Sequence, residues 1–199
     1  MPPMPDSSAL LRHIASHITL TAEEEALFVS MLQVRKVKRK QFIEQPGYVS
    51  THRTYVVSGA LRAFAIGTNG QEHTLVLAVE DWFIDDLGSF LRQEPAKLYV
   101  EALEDSTLIQ WSYASEQLLL QQIPRFTRVL LHRTQQVALQ WQQRVISQLS
   151  LSAEARYVEF ATTYTVLVQR IPLYLLASYL GMTREFLSKI RNQRGSGAS

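Results

Sequence analysis

The stretch LASYLGMTREFLSKIRNQ, from Leu176 to Gln193, restricts the fold more tightly than any other part of the chain. Two short helices that cross at roughly 90 to 120° need a small residue where they touch and, between them, a residue that tolerates positive φ. Ala177 and Gly181 stand at those two places. Leu176, Leu180 and Met182 around the turn, with Leu187 and Ile190 beyond it, recur at the spacing that turns both apolar faces toward one core. Thr183 suits the N-cap of the second helix. That leaves Arg184, Glu185, Ser188, Lys189, Arg191 and Asn192 on its outer faces. The spacing predicts a helix-turn-helix whose second helix carries groups able to bond base edges and phosphates.

Charge supports this locally rather than globally. The formal net charge is only +2, so no chain-wide field announces a nucleic-acid partner. From Arg184 to Arg194, however, Arg184, Lys189, Arg191 and Arg194 face a single anion, Glu185. A solvated αα-hairpin could carry the same charges, but it would not require the small-residue, glycine and apolar spacing. The residues offered to DNA are therefore Thr183, Arg184, Glu185, Ser188, Lys189, Arg191, Asn192 and Arg194, with Tyr174 in the preceding helix.

Upstream, the hydrophobic period changes twice. Thr21 and Glu24 have the capping-box spacing at the start of AEEEALFVSMLQ, while Pro2, Pro3 and Pro5 mark a frayed tip. From about Val34 to Phe83, short β-branched and aromatic runs are separated by Pro46-Gly47, Ser58-Gly59 and Asn69-Gly70. Asn69-Gly70 predicts a hairpin with a tight primed turn, and KLYVEALEDSTLIQWS supplies later strands. A small antiparallel barrel or sandwich is expected. Helical spacing then returns, giving one long amphipathic helix over about 113–149 with Leu130 or Leu131, Thr134, Ala138, Trp141, Val145 and Leu149 on one stripe. A small barrel cannot cover such a stripe alone, so Leu130, Ala138, Trp141 and Val145 are expected to join two copies in a homodimer. After a break at Ser150 to Ser152, AEARYVEFATTYTVLVQR reads as one further helix, and Pro172 separates it from the helix-turn-helix.

Several function classes are excluded. The chain has no cysteine, which removes disulfides, thiolate nucleophiles and cysteine-ligated metals. No apolar run approaches a membrane span and MPPMPDSSALLRH lacks the features of a signal peptide, so no membrane partner and a cytoplasmic location are expected. With no nucleophile elbow, phosphate loop or zinc-protease signature, the chain does not read as an enzyme. His13 and His17 have helical metal-ligand spacing but no third ligand nearby in sequence, and read as a surface face. RKVKRK, Arg35 to Lys40, alternates around Val37 like the wet face of a strand. Trp82, Phe83, Phe90 and Tyr99 read as core packing rather than an apolar effector pocket.

This order of parts resembles the Crp/Fnr family of bacterial transcription regulators, with FIDDLGSF (Phe83 to Phe90) similar to its phosphate-cassette start and TREFLSK to its recognition-helix start. The resemblance implies an α+β chain: an N-terminal antiparallel, jelly-roll-like β-roll sensor domain, a long dimerisation helix and a C-terminal all-α helix-turn-helix domain. The boundaries expected are 1–149 and 150–199. It places base contacts on Arg184, Glu185 and Lys189. Lys189 stands where the best-known members have arginine, which loses a bidentate fork and alters the expected base preference.

An effector pocket would fall on Phe83, Asp85, Asp86, Leu87, Ala96 and Lys97. The cyclic-AMP binders' Gly-Glu and Arg-Ser pairs read here as Asp85-Asp86 and Ala96-Lys97, so the phosphate arginine is missing. Between Glu80 and Lys97 five anions face two cations, a poor setting for an anionic ligand; Lys97 could replace the arginine as a point charge, with Asp85 or Asp86 an equal claimant to it. Only GSGAS follows Arg194, which leaves no wing hairpin and puts DNA contact on the two helices. The function expected is a homodimeric, sequence-specific regulator that binds a palindromic double-stranded DNA operator independently of cyclic AMP or any cofactor. RNA polymerase is the protein partner that role implies. The alternative is a small-molecule sensor, including a cyclic-nucleotide sensor, with weak or vestigial DNA binding.

Overall fold

Thr21 opens a helix as its spacing to Glu24 predicts. In the computed structural model, which describes residues 7–195 and side chains to residue 193, the Glu24 amide donates to the Thr21 hydroxyl at 3.2 Å. The Thr21 amide donates to the Glu24 carboxylate at 2.7 Å. This box starts α2 (Ala22–Ser30), which follows α1 (Ser8–Ala15). Pro2, Pro3 and Pro5 lie outside the described residues.

The β-branched runs form seven strands: β1 (Gln33–Val37), β2 (Phe42–Glu44), β3 (His52–Ser58), β4 (Leu61–Ile66), β5 (Glu72–Ala78), β6 (Tyr99–Ala102) and β7 (Ser106–Ser112). They make two sheets, in the orders β1-β7-β3 and β2-β6-β4-β5. Both β1 and β3 run antiparallel to β7, with Val34 and Tyr55 opposite Ile109. Gly59, between β3 and β4, has φ 103°, and a Cβ there would stand 2.1 Å from the Ser106 hydroxyl oxygen. Only glycine satisfies both conditions. The short α3 (Leu87–Arg92) lies between β5 and β6.

Three local expectations are corrected. The β4–β5 connection is a five-residue loop, Gly67 to Gln71, rather than a two-residue primed turn. The Gly67 amide donates to the Gln71 carbonyl at 2.8 Å, and the Asn69 side-chain oxygen accepts from the Gln71 amide at 3.0 Å, an Asx bond that stabilises the wider loop. The helix expected over about 113–149 is instead α4 (Tyr113–Gln122), a 3-10 turn at Pro124–Phe126, and α5 (Thr127–Ser150). Pro124 holds Ile123 out of the helical region, at φ −129° and ψ 73°, and Ile123 and Phe126 enter the core. The next helix is likewise two, α6 (Ala153–Thr163) and α7 (Thr165–Arg170), before α8 (Leu173–Leu180) and α9 (Arg184–Gly195). Near that break the Thr162 and Thr163 hydroxyls donate to the Val158 and Glu159 carbonyls, which competes with the regular ladder.

The chain divides into two compact units, the first comprising residues up to 63 with 78–136 and the second 64–77 with 137 onward. The division falls inside α5. The β4–β5 tip belongs to the second unit because Arg144 of α5 binds its backbone there, as described below. In the first unit Leu10, Ile14 and Phe28 of the N-terminal helices pack with Tyr55, Ile109 and Trp111 of the sheet and with Leu119, Ile123, Phe126 and Val129. In the second, Tyr157, Phe160, Leu167, Leu175, Leu176, Leu180, Leu187 and Ile190 are buried.

Glu44, at the end of β2, ties this scaffold to the start of α3. It accepts from the Ser50 hydroxyl at 2.6 Å and from the Asp86 amide at 2.8 Å. Burial outweighs those bonds and raises its pKa to about 7. A raised carboxyl binds its proton more tightly in the folded state, so its stability contribution is complete below the usual value of 4.5 and is lost as pH rises toward 7. Glu44→Gln should therefore remove a stability difference that grows between pH 4.5 and 7 to roughly 3 kcal/mol, at about 1.4 kcal/mol per pKa unit. Urea denaturation of both proteins across that range checks it.

Candidate functional site

The second unit builds the predicted turn between α8 and α9 from backbone bonds. Gly181 sits at φ 67°, its amide donates to the Ser178 carbonyl at 3.2 Å, and the Met182 amide donates to the Ala177 carbonyl at 3.0 Å. This is the bond pair of a Schellman motif, which needs a left-handed residue at that place. A Cβ at Gly181 would stand 3.0 Å from the Gln148 side-chain oxygen, while the Gln148 amide nitrogen donates to the Leu180 carbonyl at 3.1 Å. The Thr183 hydroxyl accepts from the Phe186 amide at 3.2 Å and caps α9. Leu187 and Ile190 turn inward and are buried.

The outer faces then follow from helical phase. Arg184, Glu185, Lys189, Arg191 and Asn192 are exposed and Ser188 is half-buried. Tyr174 is 55% exposed on α8. The Arg194 side chain lies outside the described residues. Phe186 is 46% exposed beside this polar set, a position that helical spacing alone does not assign to core or surface. Behind the turn, Arg144 of α5 donates to the carbonyls of Leu75 at 2.5 Å, Thr74 at 3.1 Å and Tyr179 at 2.7 Å, with its guanidinium 4.1 Å from the Tyr179 ring centroid. Ser178 accepts from the Thr74 amide at 3.0 Å and donates to the Glu72 carbonyl at 3.2 Å. The open edge of β5 is thus engaged by α5 and α8.

Among the residues expected at a dimer interface, Leu130 packs against the core of the first unit. Ala138, Trp141 and Val145 are exposed, and Leu131, at 55% exposure, continues their stripe in its place.

In the first unit the expected effector residues surround a filled site. The Asp86 carboxylate accepts from three backbone amides, Ser89 at 3.0 Å, Lys97 at 2.8 Å and Leu98 at 3.1 Å. Asp85 is 2% exposed at its side chain and accepts from Arg133 Nη2 at 3.2 and 3.0 Å, while Arg53 Nη1 lies 3.7 Å from its Oδ2. Arg53 also makes a bidentate pair with Glu116, at 2.9 and 3.1 Å, and Glu116 accepts from the Trp111 indole at 3.1 Å. Of the two carboxylates offered to Lys97, Asp85 is paired instead with Arg133 and Arg53. Lys97 meets Asp86 through its backbone amide, and its side chain is exposed.

Burial opposes the Arg53 charge, but the Glu116 bonds and the two carboxylates outweigh it and raise its pKa. Arg133 lies chiefly against one carboxylate, so burial prevails and lowers its pKa, although arginine stays charged in proteins. Phe83 packs its ring against Tyr55 at 5.1 Å and Trp111 at 5.9 Å and carries the Arg133 guanidinium 4.5 Å from its centroid. Leu87 is half-buried at the start of α3, and Ala96 is buried, with its amide donating to the Tyr48 carbonyl.

The fold adds a third histidine to the expected pair: His132 of α5 packs against His17, with ring centroids 4.2 Å apart, and His17 against His13 at 5.3 Å. Burial, then the neighbouring rings, hold the His13 pKa below the usual histidine value. No group of histidines and carboxylates among the described residues is placed to hold a metal ion. A groove of about 210 Å³ opens elsewhere in this unit, lined by residues including Arg35, Phe42, Tyr48, His52 and Gln110, and none of the expected effector residues line it. No helix among the described residues is long and apolar enough to cross a membrane.

Comparison with known proteins agrees with this architecture. No curated protein matches the sequence. The fold is similar to the c-di-GMP responsive global regulator CLP of Xanthomonas campestris, with a TM-score of 0.70 at 18% identity over 89% of this chain and 93% of that one. FixK2 of Bradyrhizobium japonicum gives 0.70 at 16% identity over 83% and 85%. The catabolite activator protein of Thermus thermophilus gives 0.51 at 22% identity over 89% and 85%. Residues 34–122 match the cyclic nucleotide-binding domain family, and the fold of the chain is similar to the folds of these regulators.

Proposed function

We propose that this protein is a homodimeric transcription regulator that binds a palindromic double-stranded DNA operator through α8 and α9, without cyclic AMP. The observation that carries this reading is α9 itself: Leu187 and Ile190 are consumed by the core, and the capped first turn leaves Arg184, Glu185 and Lys189 open to a partner. Arginine and lysine suit the guanine O6 and N7 acceptors, and a carboxylate accepts from cytosine N4. Arg191 lies further along and suits phosphate, which positions the protein without specifying a sequence. The likeness to global regulators supports the same reading. Two α9 helices on a twofold dimer would read half-sites about 34 to 36 Å apart. Selection of bound sites from random DNA, followed by sequencing, tests it. An enriched palindrome with that spacing is expected, and no enrichment would leave the sensor-module reading in its place.

Arg184→Ala should cost roughly 1 to 3 kcal/mol and relax the preference at one base pair per half-site. Arg191→Ala should weaken all sequences alike and lower the salt slope by about one per subunit. Titrations of operator and random DNA at several salt concentrations separate the two.

The stripe of Leu131, Ala138, Trp141 and Val145 supports pairing through α5, because an exposed apolar seam of this length is ordinarily covered. Trp141→Glu should give monomers by light scattering and weaken operator binding.

Cyclic AMP should give no binding heat by calorimetry. Asp86 already takes the Ser89, Lys97 and Leu98 amides, and a cyclic phosphate near Asp85 would meet a carboxylate whose arginine partners are engaged.

A further inference from the structure

We propose that Arg133 acts as a built-in effector: its guanidinium occupies the site beside Asp85 and Phe83 and sets the seat of α5, doing from within the chain what a sensor otherwise takes from a bound molecule. Asp85 lies inside the segment that matches the cyclic nucleotide-binding domain family, residues 34–122, whereas Arg133 comes from the helix beyond it. The two side chains are 2% and 13% exposed, so this is an enclosed pair rather than a surface one.

The contacts are those of a bound cation. The guanidinium donates to both Asp85 oxygens and lies against the Phe83 ring, 4.5 Å from its centroid. Arg53, held on the far side by Glu116, cannot leave its own partner to neutralise Asp85, and its Nη1 stands 3.7 Å away. Without Arg133 the Asp85 charge would be buried with only that longer contact.

Within the first unit, which holds α5 only as far as residue 136, the helix has little else to hold it besides the packing of His132 on His17. Val129 is the one fully buried residue of α5 among those described, and Leu130 adds partial burial against the core. Beyond them Arg133 is the first strong anchor, and the residues after it carry the exposed apolar stripe. Within the first unit the rotation of α5 about its axis is therefore set largely by where Arg133 finds Asp85. Removing the side chain would leave an anionic, aromatic-walled site shaped for a small planar cation, and would make the seating of α5 depend on what fills it.

The test uses the full chain as wild type, Arg133→Ala, Arg133→Lys and the double variant Arg133→Ala with Asp85→Asn, each with and without millimolar methylguanidinium. Tetramethylammonium at equal concentration controls for ionic strength. Hydrogen exchange at α5 amides after residue 133 is one readout and operator affinity is the other. Arg133→Ala should raise exchange about tenfold and weaken operator binding about tenfold. Methylguanidinium should restore both, tetramethylammonium neither, and the double variant should not be rescued. Arg133→Lys keeps a charge without the planar fork and should lie between, so it decides the matter should the alanine variant not fold. Wild-type exchange in Arg133→Ala, or a loss that methylguanidinium leaves unchanged, would overturn the inference. It rests on the DNA-binding reading for its second readout only: a wild type that binds no DNA, with the exchange changes and their rescue still present, would defeat that reading and leave this one standing.

Discussion

The buried Asp85 carboxylate is the point on which the rest of the first unit depends. Two guanidiniums, Arg53 and Arg133, and two carboxylates, Asp85 and Glu116, form a balanced set with almost no access to water. Such a set adds little net stability over a well-packed apolar core, because desolvation of the charges offsets their attraction. Loss of one member is a different matter, costing about 3 to 5 kcal/mol by stranding its partner. The network therefore selects one arrangement of β3, α4, the segment before α3, and α5. Phe90 and Phe83 complete it, placing aromatic faces 4.2 and 4.5 Å from the two guanidiniums.

Asp86 answers a neighbouring problem by another route. It pairs with no cation among the described residues, yet the Ser89, Lys97 and Leu98 amides supply three donors that would otherwise need an acceptor. An acidic pair that looks hostile to its surroundings in sequence is thus fully provided for, one member by side chains and the other by backbone.

What was legible in the sequence is what short-range chemistry decides. The Thr21–Glu24 box, the Thr183 cap, the left-handed Gly181 and the inward Leu187 and Ile190 each depend on partners within a few residues, and each forms as expected. The break at Pro124 was also readable, since a proline ends a helical pattern at the residue before it, but the apolar spacing continues on both sides and hid it. The ion network was not legible. Arg53 and Glu116 are 63 positions apart and Asp85 and Arg133 are 48, and nothing local distinguishes those arginines from solvated ones. His132 joined His17 for the same reason, through a packing of the turn after α1 on α5 that periodicity cannot foresee.

The arginines also explain why the apolar stripe of α5 stays open. Arg133 and Arg144 are eleven residues apart, about three turns, so they leave the helix on nearly the same side. Each finds acceptors within its own unit: the Asp85 carboxylate for Arg133, and the carbonyls of Thr74, Leu75 and Tyr179 for Arg144. Leu131, Ala138 and Val145, at heptad spacing and about 100° or more around the axis from both arginines, fall on a different side and are not needed for the seat. A helix anchored by its apolar face would have spent that face on its own chain. Anchored by guanidiniums, α5 leaves Leu131, Ala138 and Val145 exposed.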